Sequence, residues 1–540
     1  MNGKVARTLA AALATVALAG CVAGSRAGGG QAGTFRWSDG EDIDNLNPLL
    51  STETVVNDLS SFTMGYFFVF NDKGETVPSL CLRLPTKANH LISADGRQLT
   101  FRLRHGVLWQ DGAAFTSADV AFTVGVILDE HTNVLTRDGW DDIAAVKTPD
   151  KYTVVFELKK PYAAFVNRFF TPIGNPAILP KHLLSGQDIN HASYNALPVG
   201  LGPFRYVRWA RGREVVMEAF PGYWGAKPKL ARVVYKIVPD TNTVATQLRT
   251  GELDAFVRVP TNLIAEVSAY PDVKTHAYDT NSYGHIDFNQ RRPILADVRV
   301  REALARAIDV RTLWQKVDRG SGFLACTPIS HLNWAYDAHA PCPRYDLGRA
   351  ARLLDAAGWR PGADGVRRKN GRAMQLVFAG NVGNQGLDAR VAIVEQAFAR
   401  LGVGLTYVKY PTNLLFASYA GGGIVAIGNY DLTSYAWSLP PDPDISNLVA
   451  CSRRAPNGQN YLGYCDRAVD AALEDALRTY DRARRRGDYV RVQELLARDL
   501  PFVVLSQRTD HIIAGDNVSG LRPGPTMIFW NPTQLAVGAR

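Results

Sequence analysis

A mixed α/β (α+β) fold of several packed units is what the sequence predicts, and three observations carry that expectation. At 540 residues the chain is far longer than one small core requires, and a norm of roughly 150 residues per domain suggests about three or four units. Stretches that alternate apolar and polar residues are interleaved with stretches of helical period, as in α/β and α+β proteins. No segment recurs at a spacing of about 20 to 50 residues, which excludes solenoids and propellers. Apolar residues make up 46% of the chain and charged residues 21%, a balance that excludes disorder and low complexity for most of it.

Taken in order, the elements begin with a targeting segment. Lys4 and Arg7 precede an apolar stretch over residues 8–18, followed by Leu18-Ala19-Gly20-Cys21. That stretch is too short to span a bilayer, which takes about twenty apolar residues. Residues 1–20 resemble a bacterial lipoprotein signal peptide. The resemblance implies cleavage before Cys21 and lipidation of that cysteine; an ordinary secretion signal is the competing reading. Residues 21–33 are rich in Gly, Ala and Ser and read as a flexible tether.

Beyond the tether, alternation predicts strands over residues 99–103, 153–158 and 233–238. Helical spacing predicts helices over 117–128, 241–250, 298–308, 347–357, 388–401, 468–479 and 488–499. Ser117 is expected to cap the first of these, with Asp119 near its positive end. Gly251, Gly358 and Gly402 are expected to close three others in the left-handed conformation.

Five cysteines follow Cys21, and an oxidising compartment favours pairing. Cys326 with Cys342 and Cys451 with Cys465 are the near pairs, each closing a short loop worth up to about 3 kcal/mol. Cys81 is left as a small buried hydrophobe. An alternative joins Cys326, His331, His339 and Cys342 in a zinc site, although the spacing fits no usual zinc pattern.

The net charge of +9 is spread along the chain. Its densest cluster, Arg482, Arg484, Arg485 and Arg486, reads as a solvated helix face, so nucleic acid is not an expected partner. No Gly-x-Ser-x-Gly, His-Glu-x-x-His or phosphate-cradling Gly-Lys-Ser/Thr motif occurs, and neither catalysis nor a cofactor or resident metal is expected.

Four ordered signatures are more specific. The first runs from Asp95-Gly96 through Thr100-Phe101-Arg102-Leu103-Arg104, Gly106-Val107, Trp109, Asp111-Gly112 and Phe115-Thr116 to Ala118-Asp119-Val120. The second is Gly200, Gly202-Pro203-Phe204, Tyr223-Trp224 and Gly251-Glu252-Leu253-Asp254. The third is Phe288-Asn289 with the stretch from Asp297 to Asp309, and the fourth is the stretch from Ala350 to Trp359 with Asp364-Gly365. In these the chain resembles the extracytoplasmic solute-binding proteins of ABC importers that take oligopeptides, dipeptides or nickel complexes. Physically the signatures read as scaffold: turns at the glycines, core aromatics at Trp109 and Trp224, and structural ion pairs among Arg299, Arg301 and Asp309.

The resemblance implies a two-lobed fold like that of periplasmic binding proteins, with a two-strand hinge and an extra subdomain in the first lobe. Lobe one would comprise residues 34–283 and 507–540, with the subdomain near 76–200, and lobe two residues 284–506. It implies a receptor that captures a peptide or peptide-like solute between the lobes and delivers it to an ABC permease. The protein is then expected to be a monomer, lipid-anchored on the periplasmic or cell-surface side of the membrane.

Peptide-binding members hold an extended backbone by strand-like hydrogen bonds. The corresponding residues here are Ser51, Thr52, Glu53 and Thr54 in lobe one and Ser434, Tyr435, Trp437 and Ser438 in lobe two. Such proteins usually carry an Asp three residues after this Trp, which fixes the ammonium of the peptide. Pro440 stands there instead and brings neither a carboxylate nor an N–H. Asp442 is expected to substitute only if its loop folds back. An opine, a glycoside or a metal chelate is therefore an alternative solute.

Overall fold

The computed structural model describes residues 33–539 apart from 52, 135–136, 138, 173–176 and 420. The signal segment, Cys21 and Thr52 lie outside the described residues. A ten-stranded sheet runs through the molecule in the order Gly404–Tyr410, Gln375–Asn381, Leu432–Ser438, Val273–Phe288, Phe502–Gly515, Ala255–Phe256, Thr34–Ser38, Arg232–Lys236, Glu214–Ala219 and Phe204–Ala210. Its two central strands, Val273–Phe288 and Phe502–Gly515, are long and antiparallel, and their register breaks between Asp279 and Tyr283. At one end of this pair Ala255–Phe256 joins the sheet; at the other Leu432–Ser438 lies along residues 282–288. The pair thus carries one lobe at each end.

Each lobe has its own cores. In the first, Phe35, Trp37, Phe62, Phe204, Tyr235 and Phe529 are all fully buried. A separate cluster around Phe101, Trp109, Phe156, Phe165 and Phe170 holds together the three-stranded sheet of Gln98–Arg102, Thr153–Leu158 and Ile143–Asp150. The helix Ser117–Leu128 packs on this sheet and contributes Val120, Val124 and Ile127 to its core. In the second lobe, helices Val298–Ala307, Leu347–Ala356 and Gln385–Ala399 bury one sheet face. Helices Arg467–Arg478 and Arg482–Asp499 bury the other. The run from Phe502 to Ser506 is buried without alternation because both its faces are covered.

Several local expectations change. Thr116, not Ser117, caps the helix Ser117–Leu128: its backbone N–H donates to Asp119, while the Ser117 hydroxyl donates to the Asp150 carbonyl. The last long helix starts at Arg482, because Asp481 accepts from the backbone N–H groups of Ala483 and Arg484. Gly251, Gly358 and Gly402 do take left-handed φ angles of 80°, 85° and 73°. Arg299 does make an ion pair, with Asp297 at 2.7 Å, but among the described residues Arg301 pairs with no carboxylate; it donates to the carbonyls of Leu295, Ala296, Asp499 and Leu500. Asp309 caps the helix Val310–Lys316.

Disulfides join Cys326 to Cys342 and Cys451 to Cys465, and Cys81 is buried and free. The first bond overturns the zinc alternative, since a sulfur in a disulfide is no thiolate ligand; His331 instead bonds Gln507 and faces Asp279. Among the described residues no helix is long and apolar enough to cross a membrane.

Candidate functional site

Between the lobes lies a cleft of about 980 Å³. Lobe one contributes the start of the helix Thr241–Thr250 and residues 258–264. Lobe two contributes residues 316–321 and the start of the helix Gln385–Ala399. Its floor is the hinge itself, with Gly284, Ser434, Tyr435, Ala436, Ser506 and Arg508. A solute held there touches both lobes, the condition for ligand-linked closure.

One edge of the floor is open. The strand Leu432–Ser438 is paired along its whole length with residues 282–288. On its other side Gln375–Asn381 pairs only with Leu432 and Thr433. Among the described residues no strand covers positions 434–438 on that side. Unpaired backbone N–H and C=O groups in a cleft are a template for an added extended chain.

The charged side chains of the cleft are mostly committed. Arg258 donates to Asp39 at 3.0 Å and also to Asp58; Arg390 pairs with Asp318 at 3.2 Å and Arg508 with Asp510 at 3.0 Å. Burial lowers the pKa of the Arg390 guanidinium, and Asp318 opposes that shift. Among the described residues Lys316 and Arg319, which also line the cleft, make no ion pair. Two buried polar atoms on the lining, the Ser434 hydroxyl and the Arg390 Nε, have no hydrogen-bond partner, and such groups ordinarily find one. The uncommitted groups thus favour a polar solute carrying negative charge.

The residues singled out from the sequence divide into two groups. Ser434 and Tyr435 line the cleft. The Tyr435 hydroxyl donates to Asp287 at 2.9 Å; burial, with Asp287 adding to it, pushes its pKa well up, so it stays a donor. Trp437 is half-buried, its ring centroid 5.5 Å from that of Tyr435. Ser438 is exposed and shares a 2.6 Å hydrogen bond with Ser282.

Ser51, Glu53 and Thr54 do not line the cleft. The Ser51 hydroxyl donates to Asp44, Glu53 accepts from the Asp44 N–H, and Thr54 opens the helix Thr54–Thr63. Their polar groups close a turn on themselves. Asp442 is likewise not available to an amine: it is 1% exposed, accepts two hydrogen bonds from Arg485 at 2.7 and 2.9 Å, and takes a third from Tyr489. The same pair corrects the reading of the arginine cluster, since Arg485 is buried against Trp334 and not solvated.

Sequence reasoning missed the cations of the cleft wall, Lys316, Arg319, Arg390 and Arg508. They come from distant stretches of chain, and only the fold brings them together.

Known proteins resemble the chain over nearly its full length. Residues 83–458 match the family described as bacterial extracellular solute-binding proteins, family 5, middle region. Protein XP55 of Streptomyces lividans is 30% identical over 448 residues, 83% of this chain and 79% of that one. The oligopeptide-binding protein AppA of Bacillus subtilis is 26% identical over 494 residues, 90% of this chain and 88% of AppA. The structure of that AppA in complex with a nonapeptide superimposes with a TM-score of 0.83 at 25% identity, covering 94% of this chain and 99% of its own. NikZ of Campylobacter jejuni in complex with Ni(L-His) superimposes with a TM-score of 0.82 at 24% identity, covering 94% and 100%.

Proposed function

Because the chain belongs to the bacterial extracellular solute-binding proteins of family 5, we propose that it captures a peptide in the interlobe cleft and delivers it, unchanged, to an ABC importer. The observation that carries this reading is the open strand edge at residues 434–438, of which Ser434, Tyr435 and Ala436 line a cleft reached from both lobes. An added strand satisfies backbone groups that every peptide offers, so capture tolerates sequence. AppA, bound to a nonapeptide, supports a peptide of several residues as the guest.

In this reading Ser434, Tyr435, Trp437 and Ser438 present the edge, and Lys316 and Arg319 take the negative charge of the guest. The lobe limits follow as residues 34–283 with 507–540 and residues 284–506, hinged at the central pair of strands. The chain acts as a monomer held to the outer face of the membrane by lipid on Cys21, with residues 21–33 as tether. Its role is binding without chemistry. Pro440 in place of a carboxylate favours a second reading within the same transport role: a solute without a free α-amine, such as an opine, a glycoside or a metal chelate.

Mass spectrometry of the solute retained by the purified, delipidated protein decides between them, paired with fractionation of the producing cells. A peptide bound one to one and released intact is expected, with the wild-type chain in the membrane fraction and a Cys21→Ser variant outside it. A retained sugar or chelate would replace the peptide reading, and a turnover product would overturn the binding role.

A further inference from the structure

Resting on the peptide reading above, we propose that this chain prefers extended guests whose side chains alternate in kind: aromatic or large apolar groups on one face, acidic groups on the other. The two faces of the open edge differ, and an added strand continues their pleat. Successive side chains of a strand point to opposite sides of its sheet. Ser434 and Ala436, across the ladder from Ile286 and Gly284, belong to the face that opens on the 980 Å³ cleft. That cleft holds the uncommitted cations Lys316 and Arg319 and the unpartnered Ser434 hydroxyl.

The other face carries the rings of Tyr435, which also borders the cleft at the strand edge, and Trp437, across from His285 and Tyr283. Phe416 extends it at one end, its ring 5.5 Å from that of Tyr435, and Tyr461 at the other, 6.4 Å from Trp437 and nearly parallel to it. Tyr435 is fixed by its bond to buried Asp287, which gives this aromatic row a rigid centre. Phe416 nevertheless remains 43% exposed. A fixed row of rings beside an unpaired strand edge, left partly open to water, suits the alternate side chains of an added strand. A residue whose backbone bonds the edge places its side chain either over the rings or into the basic cleft, and its neighbour takes the opposite side.

Calorimetry on the purified chain with three pentapeptides tests this. One alternates phenylalanine and glutamate, beginning and ending with phenylalanine. A second has the same composition in two blocks, and the third is pentaalanine. The alternating peptide is expected to bind about tenfold more tightly than either of the others, the scale of one or two well-made aromatic contacts. Phe416→Ala, at an exposed position, should remove most of that preference. Binding of pentaalanine with equal affinities for the alternating and blocked peptides overturns the two-faced preference and leaves the peptide reading standing. Failure of all three to bind overturns both.

Discussion

Glu53 shows how a side chain expected to meet the solute serves a different end. It sits before the helix Thr54–Thr63 and accepts from the backbone N–H of Asp44 at 3.1 Å. Burial pushes its carboxyl from 4.5 up to about 7; the Asp44 N–H opposes the shift, and the charges of Asp44 and Glu41 add to it. The folded chain therefore keeps a proton that the unfolded chain has released. Its contribution to stability is full below about pH 4.5 and is lost as the pH rises through about 7, because stability falls with pH wherever the folded state binds more protons. Glu53→Gln keeps the acceptor and cannot ionise. Thermal unfolding across this range should show the variant gaining on the wild type as the pH rises, and parallel melting curves would sink the assignment.

The loop that follows the strand Leu432–Ser438 depends on the helix Arg482–Asp499 for its shape. Arg485, in the second turn of that helix, reaches Asp442 with both charges almost fully buried, 8% and 1% exposed. Burying ions is costly, and the surviving partner of a broken buried pair carries that cost alone. Asp442→Ala should destabilise the protein by about 3–5 kcal/mol in urea unfolding. The double replacement Asp442→Leu with Arg485→Met should recover most of the loss, since no charge is then left stranded. Equal losses in the single and double variants would mean that packing, not charge, holds the loop.

The same loop marks the limit of what the sequence reveals. Local periodicity located the helices Ser117–Leu128 and Thr241–Thr250 and the strand Thr153–Leu158 to the residue, because each buries one face at its natural period. It placed the start of the helix Arg482–Asp499 six residues late. Four arginines in its first turns hide the apolar stripe, and the cap at Asp481 became evident only in three dimensions. The sequence leaves Asp442 as an amine partner only if its loop folds back, and gives no sign of Arg485, the partner it has 43 residues away. Tyr435 and Ser434 were legible as cleft residues through resemblance, whereas Lys316, Arg319 and Phe416 carry no local signal, since their meaning depends on which strand edge stays open.

At the scale of the molecule, the subdomain grips lobe two at a distance from the hinge. Arg168 lies 2.9 Å from Asp444, and the Tyr162 hydroxyl donates to the same carboxylate at 3.1 Å. The Ala163 N–H donates to the Leu477 carbonyl at 2.8 Å, and the Tyr480 hydroxyl bonds the carbonyls of Gly96 and Tyr162. Although burial opposes it, Arg168 and Ser446 hold the Asp444 carboxyl below its ordinary value, so the pair stays charged. Its two halves ride on parts of the chain that only the central strands connect, so swinging lobe two away from lobe one must break it. The clasp is therefore expected to favour the closed arrangement and to add to whatever the solute contributes to closure. An apparent affinity falls by the fraction of molecules that lose the binding-competent form. Arg168→Met leaves every residue of the cleft lining in place. It should nevertheless weaken solute binding by about tenfold, the equivalent of about 1.4 kcal/mol, and should enlarge the solute-free molecule in X-ray scattering. An unchanged affinity together with an unchanged radius would show that closure draws nothing from this contact and that the solute alone brings the lobes together.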